Sequence, residues 1–529
     1  MPPSLAIIGT GPRALGALEA LARSGVVADV VLFGPDPHPG AGPNFSPDQS
    51  PLGLLNIPLR AIDLPPAPVA GFPDFADWLH NPDLDSYPAR AELGSYLAAR
   101  FAALVQDGPL RIRHQRDVIT DIAPLDGGLQ VAGRRFDAVL LTPGQPKTRP
   151  DDQLARWQTH AARTGADLVP AYPDDALLDA ARGWAGAQVG VRGLGLATLD
   201  VLRVLTEGLG GRFEAGRYLP SGREPARILP FSLNGLPPFP KPATAALDAA
   251  LDPTDAETTA FSAALARAVT LPPEAALRAI CEPLADASGR ILGARPDDWL
   301  AAEREAPASQ HQGGPVQTLR TAIAMARGEV APDAGHVIGA LWRKWQNALR
   351  RGFNPARLPD ATATALIGFD EGLKRYSYGP PLSAAERLLA LIEAGLVDLR
   401  ATDDPDIRTT PQGWQLHEGR TLALVTAMVD AVLPSPRLDA LDDPLFAALD
   451  RQGLICPVAD GMGARLAADG SLIGADGQPV AGLSLLGRMG LGSIIAADSI
   501  HDCFGASADR WAAGIAARTG ATAQTRATA

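Results

Sequence analysis

Residues 5–25 read LAIIGTGPRALGALEALARSG, and this stretch decides the fold. Leu5 to Ile8 is a short apolar run stopped by glycine, the mark of a buried parallel strand. Gly9, Gly11 and Ala14 follow in G-x-G-x-x-A spacing, with Pro12 and Arg13 inside the turn, and a helix-period run of Leu and Ala continues to Arg23. Gly9 permits the tight turn, Gly11 lets backbone approach a pyrophosphate, and Ala14 lets helix and strand pack closely. The helix N-terminus then offers free N–H groups and its positive dipole end to the anion. A second buried strand, ADVVLFGPD at 28–36, completes a strand–turn–helix–strand unit. An acid at the end of that strand ordinarily bonds a ribose hydroxyl. Gly34 stands there instead, and Asp36 either takes the role from the loop or is a solvated turn residue.

The same grammar recurs at 187–208, AQVGVRGLGLATLDVLRVLTEG, where Gly193 and Gly195 make the turn and Thr198 and Asp200 fall in the helix after it. Two cradles imply two dinucleotides, one a bound flavin and one a nicotinamide that reduces it. A 2′-phosphate on the second would need basic and hydroxyl partners. Arg212, Arg217, Ser221, Arg223 and Lys241 are the candidates, each also readable as a plain surface charge.

Composition bounds the rest. At 529 residues the chain exceeds one ordinary core and predicts two or three domains. A net charge of −12 argues against nucleic acid or an anionic membrane as partner. Cys281, Cys456 and Cys503 are far apart with no CxxC pair, which excludes a dithiol centre or a thiolate zinc site. The histidines form no HxxxH or HExxH pair, so no metal is expected, and no GxSxG elbow suggests acyl transfer. The first strand starts too early for a cleavable signal, and no apolar run reaches the roughly 18 residues of a membrane span. The expected location is cytoplasmic. The stretch 35–73 is rich in Pro, Gly and Asp and reads as a long functional loop. The segments at 110–131 suggest antiparallel strands leading into a buried strand at Ala138–Thr142, and 243–400 is dominated by helical spacing. Trp342 and Trp345 read as a packing face. Tyr376 and Tyr378, before Gly379-Pro380-Pro381, either line a pocket or pack a turn on the core.

A further set of stretches occurs in fixed order: PHPGAGPNF, LLNIP, FADWL, YPARAELGSYL, VLLTPGQP, GLGLATLDVL, LPSGREP, SYGPP and GLSLLGR…AADSI. In this the chain resembles the bacterial FAD-NAD(P)-binding proteins related to flavin-dependent N-hydroxylating monooxygenases. That group includes the aspartate N-hydroxylases and, more distantly, the ornithine and lysine N-hydroxylases. The resemblance implies an α/β chain of two Rossmann-like domains. The FAD domain would cover 1–150 and return at 421–529, with the NAD(P) domain inserted at 151–420 and a helical insertion at about 243–400. It implies that Gly9, Gly11, Ala14 and the Gly40-Ala41-Gly42 loop hold FAD, with Pro12 and Arg13 in the same turn and Gly144 in the strand that closes the domain. Asn56 and Arg60 would lie near the flavin, and Gly487, Arg488 and Asp498 would return beside it, Asn56, Arg60 and Arg488 being the catalytic candidates. Gly193, Gly195 and Thr198, with Ser221 and Arg223, would hold the nicotinamide cofactor. Relatives show an acid where Gly34 stands, and Ser-Arg in the stretch that here reads Phe231-Ser232-Leu233-Asn234-Gly235. NADPH is the expected reductant, with NADH the alternative. The implied activity is N-hydroxylation of a small amino acid or amine, aspartate a candidate, by O2 through a flavin C4a-hydroperoxide. Arg60, Arg90, Lys374, Arg375 and Arg488 are candidate clamps for a substrate carboxylate. An FAD/NAD(P) oxidoreductase without oxygen insertion, or a non-catalytic dinucleotide binder, are the rival readings, and a homo-oligomer stays open.

Overall fold

The strand Ser4–Ile8 is buried from Leu5 onward and pairs in parallel on both sides, with Asp29–Phe33 and with Ala138–Leu141. These coordinates are a computed structural model, which describes residues 2–80, 83–307, 310, 313–418 and 421–519. The first sheet runs, edge to edge, Ser471–Ile473, Pro479–Leu485, Ala138–Leu141, Ser4–Ile8, Asp29–Phe33 and Arg111–Gln115. All its pairings are parallel except the hairpin at the Ser471–Ile473 edge, whose connection carries the Asp476-Gly477 turn. Arg111–Gln115 corrects the sequence reading. It is a parallel edge strand, because the helix Arg90–Asp107 carries the chain back across the sheet before it. The antiparallel strands are the three that follow, Ile122–Leu125, Gly128–Val131 and Arg134–Phe136.

The helix Pro12–Arg23 starts with proline at its first position and is buried from Ala14 to Ala22. It lies between the sheet and the helices Arg90–Asp107 and Ala506–Thr519, whose Leu97, Phe101, Trp511 and Ile515 share its core. Gly16 is the contact point with the returning chain, since a Cβ there would sit 1.9 Å from the Cys503 carbonyl.

The second sheet is wholly parallel, in the order Arg227–Phe231, Gln188–Arg192, Ala427–Asp430 and Asp167–Pro170. It too has a three-stranded antiparallel meander, Asp406–Thr410, Gly413–Glu418 and Thr421–Val425, feeding directly into one of its strands. The second sheet therefore reaches past the boundary expected at 420. Between its strands lie the helices from Ala245–Ala249 to Leu382–Glu393. Most of them form a separate core in which Trp345 stacks on Phe261 at 4.5 Å and Trp342 meets it edge-on. Leu382–Glu393 instead packs into the second sheet's core. None of the described helices is long and apolar enough to cross a membrane.

Candidate functional site

The two Gly turns are the same structure built twice. In each, the first glycine takes a positive φ that L-residues resist, +109° at Gly9 and +118° at Gly193. Its amide donates 2.8 Å to the carbonyl of the phenylalanine that ends the next parallel strand, Phe33 or Phe231. The residue ending the third strand closes each turn from behind: Thr142 donates to Ile8, and Ala431 to Arg192, both at 2.8 Å. The helices Pro12–Arg23 and Leu196–Leu205 then begin with no side-chain cap and no acid in the first turn. Their first amides are left for a ligand. In front of them the protein leaves room: a Cβ on Gly195 would meet nothing within 4 Å, and one on Gly11 only the Gly42 Cα at 3.8 Å. The Thr198 hydroxyl is buried in the second cradle without a hydrogen-bond partner among the described residues. Both cradles fit a dinucleotide pyrophosphate.

Around the first cradle the loop Gly40-Ala41-Gly42 is held by the Gly40 amide, which donates 2.7 Å to the Thr10 carbonyl. A Cβ on Gly42 would come 2.9 Å from the Gly11 Cα, so the loop lies directly on the turn. Gly34 is explained here. A side chain at 34 would strike Thr10 Cγ2 at 2.6 Å, and the space lets the Thr10 hydroxyl donate 2.9 Å to Asp36. The acid is moved two residues along and pinned by a buried threonine. Gly144 turns the chain out of the closing strand.

The returning segment packs on the first cradle. Gly487 lies against Arg13, whose guanidinium would be 3.4 Å from a Cβ there. Arg13 itself donates to the Asp502 carboxylate at 2.5 Å and carbonyl at 2.9 Å, and to the Ala497 carbonyl at 3.1 Å. Its polar atoms fasten the return to the cradle. Arg488 pairs with Asp498 at 3.3 Å and donates to Gln145 and the Pro434 carbonyl. Burial would raise the Asp498 carboxyl, but Lys374 at 2.8 Å and Arg488 outweigh it and hold it below the usual range.

Between the two cradles and the helical segment lies a cavity of about 1130 Å³. Asn56, Asp498, Lys241, Tyr378 and the first turn of the second cradle helix line it. Arg60 does not; it pairs with Asp85 at 3.0 Å. Arg90 lines the cavity but is taken up by Asp200, which also accepts 2.6 Å from the Tyr172 hydroxyl. Tyr376 belongs to the core, whereas Tyr378 faces the cavity.

Three candidates for the 2′-phosphate are displaced. Ser221 and Arg223 precede the strand Arg227–Phe231, whereas the cradle follows its neighbour Gln188–Arg192, and the two strands are parallel. Five residues of strand, about 16 Å, separate them from the carboxyl ends where such ligands bind. Their turn is instead closed on Glu224, whose buried carboxylate accepts from the Ser221 and Gly222 amides at 2.7 and 2.8 Å. Lys241 sits in the cavity. At the carboxyl end itself, where Leu233 is exposed, the guanidinium of Arg375 reaches in from the helix Asp360–Ser377 and donates to Asn234. Sequence proximity could not show that approach. Among the described residues no group of His, Cys, Asp or Glu could hold a metal.

Residues 6–146 match the FAD-NAD(P)-binding protein family. The chain is 33% identical over 267 residues to the nitrosuccinic acid synthase of Aspergillus oryzae, covering 44% of this chain and 40% of that one. It is 30% identical over 289 residues to an L-aspartate N-monooxygenase (nitrosuccinate-forming) of Streptomyces davaonensis, covering 44% of each. The matched stretch thus spans less than half of these relatives' own length. Among solved structures, an ornithine N-hydroxylase of Kutzneria sp. 744 aligns over 98% of this chain and 100% of its own, at 12% identity and a TM-score of 0.48.

Proposed function

We propose that the chain is an FAD-dependent, NADPH-consuming N-hydroxylase of a small dicarboxylic amino acid, with O2 as co-substrate and aspartate as the first candidate. The observation that carries this is the pair of matching cradles with a large, partly open cavity between them, in a chain one of whose relatives is an L-aspartate N-monooxygenase. The first cradle, with Asp36 for the ribose and the return at Gly487, is the place for FAD, and the second, with Thr198 and Arg375, the place for NADPH. Bound there, a flavin supplies hydride uptake from the nicotinamide and activation of O2. The chain's own residues do the rest. The helix amides hold the two pyrophosphates, and Asn56 and Asp498 border the cavity from the loop and return that pack on the first cradle. The substrate amine must react as a free base, so its ammonium proton has to pass to a base or to solvent first.

The reading is tested by purifying the protein, measuring flavin per chain, and following NADPH oxidation with a panel of amines and amino acids. Hydroxylamine or nitro product from one acidic amino acid supports it. Oxidation that proceeds only with a quinone or dye shows electron transfer without oxygenation and refutes it.

A further inference from the structure

Lys241 is a cavity residue whose chemistry the two cradles leave unused. It is held between Pro240 and Pro242, which fix the backbone, and its amide donates 3.0 Å to the Pro380 carbonyl. Its ammonium nitrogen donates to two carbonyls, that of Asn56 at 2.6 Å and that of Gly379. The approach depends on glycine: a Cβ at 379 would sit 1.7 Å from the Phe239 carbonyl and push the two segments apart. Lys241 is only 8% exposed, lines the cavity, and has no carboxylate partner among the described residues. The nearby Asp248 is engaged by Arg343 and Lys344. An ammonium has three donors, so one remains. Beside it, on the residue before Gly379, the Tyr378 hydroxyl also lines the cavity and is buried with no partner. A buried amine with a donor to spare and a buried hydroxyl without a partner, both lining one cavity, describe a receptor for a small anion.

We propose that Lys241, with the Tyr378 hydroxyl beside it, anchors a carboxylate of the substrate in this cavity. One donor from each matches the two oxygens of a carboxylate; a phosphate, with more acceptor oxygens and more charge, would be left short. The proposal deepens the reading given above and takes the amino-acid nature of the ligand from it. The charged groups acting on Lys241 are Arg343 on the helix Ala334–Lys344 and Asp248 on the helix Ala245–Ala249. Burial, with Arg343 adding to it against Asp248, pushes the amine well below its ordinary range. A bound carboxylate favours the charged form and opposes that push, so at pH values where the free amine is partly deprotonated binding is linked to proton uptake, and affinity falls as pH rises there.

The test is calorimetric titration of the FAD-loaded protein with L-aspartate and with succinate, which lacks the amine, in two buffers of different ionisation heat at mildly alkaline pH. Binding of both with net proton uptake is the expected result. Lys241→Gln, which keeps amide donors for the two carbonyls, weakens both by about 10- to 100-fold and abolishes the uptake, and Tyr378→Phe weakens them less. Proton uptake in the unaltered protein needs no variant, so misfolding of Lys241→Gln would not hide the answer. No binding of either acid, or equal affinity and uptake in a folded Lys241→Gln protein, overturns the proposal. If both acids bind through Lys241 and no oxygenated product ever forms, the carboxylate site stands and the N-hydroxylase reading fails.

Discussion

Alanine at Gly9 and alanine at Gly11 separate what the fold needs from what a dinucleotide needs. At Gly9 the backbone has φ +109°, and the new Cβ would lie 2.0 Å from the Thr142 carbonyl oxygen, inside the contact that closes the sheet. Backbone strain of about 1–2 kcal/mol adds to an overpacking cost of about 1–3 kcal/mol. The sum, about 2–5 kcal/mol, lowers the melting temperature of the flavin-free protein by roughly 5–15 °C. At Gly11 the backbone is extended, with φ −79° and ψ −171°, and the Cβ meets nothing nearer than 3.8 Å. Alanine there changes the stability of the flavin-free protein by no more than about 1 kcal/mol. It does, however, fill the space through which a pyrophosphate reaches the helix amides. Thermal unfolding of flavin-free protein and flavin content of purified protein read the two effects independently. Gly9→Ala is expected to lose both, Gly11→Ala only the flavin. A Gly11→Ala protein that keeps one flavin per chain, or melts as early as Gly9→Ala, would refute the reasoning.

Other expectations follow from single contacts. Arg375→Gln lowers kcat/KM for NADPH by about 10-fold and leaves NADH nearly unchanged, because it removes the one guanidinium at the carboxyl end of Arg227–Phe231 known to reach Asn234. Arg223→Gln, at the other end of that strand, changes neither; steady-state kinetics with both nucleotides checks the pair. Thr10→Val frees Asp36 from its hydroxyl and weakens FAD by about 5- to 10-fold in a fluorescence titration, with little change in melting temperature. Burial pushes the Asp370 carboxyl, which accepts from Trp342 at 2.8 Å, up to about 6. Since the folded state then holds this proton more tightly than the unfolded one, the contribution of Asp370 to stability is fullest below about pH 4. It declines by on the order of 3 kcal/mol as pH rises through about 6. Asp370→Asn should flatten that decline in denaturant titrations across pH.

What the sequence disclosed was local. The first cradle is legible because its turn, its helix start and its closing strand are each written in a few consecutive residues, and the second because it repeats the first. The 2′-phosphate candidates went astray for a directional reason. Ser221 and Arg223 come before their strand, and in a parallel sheet the end before a strand is the wrong face for a ligand. The order of residues alone could have shown this. Asp36 was half legible: its position could be seen, but the buried Thr10 that fixes it is 26 residues away. Lys241 and Gly379 are 138 residues apart, and Arg375 and Asn234 are 141. Contacts of that kind are made by folding the helical segment against the two sheets, and no local pattern announces them. Arg60 and Arg90 illustrate the converse: both are basic residues in suggestive stretches, and both are engaged by carboxylates, Asp85 and Asp200.

The central claim is that the two cradles and the cavity between them serve oxygen transfer to the nitrogen of a dicarboxylic amino acid. The most direct measurement is mass spectrometry of the product formed from L-aspartate, NADPH and isotopically labelled O2 by the FAD-loaded protein. A product carrying label on the aspartate nitrogen is the predicted result. NADPH consumed with unaltered aspartate, and all of the label in hydrogen peroxide or water, would contradict it.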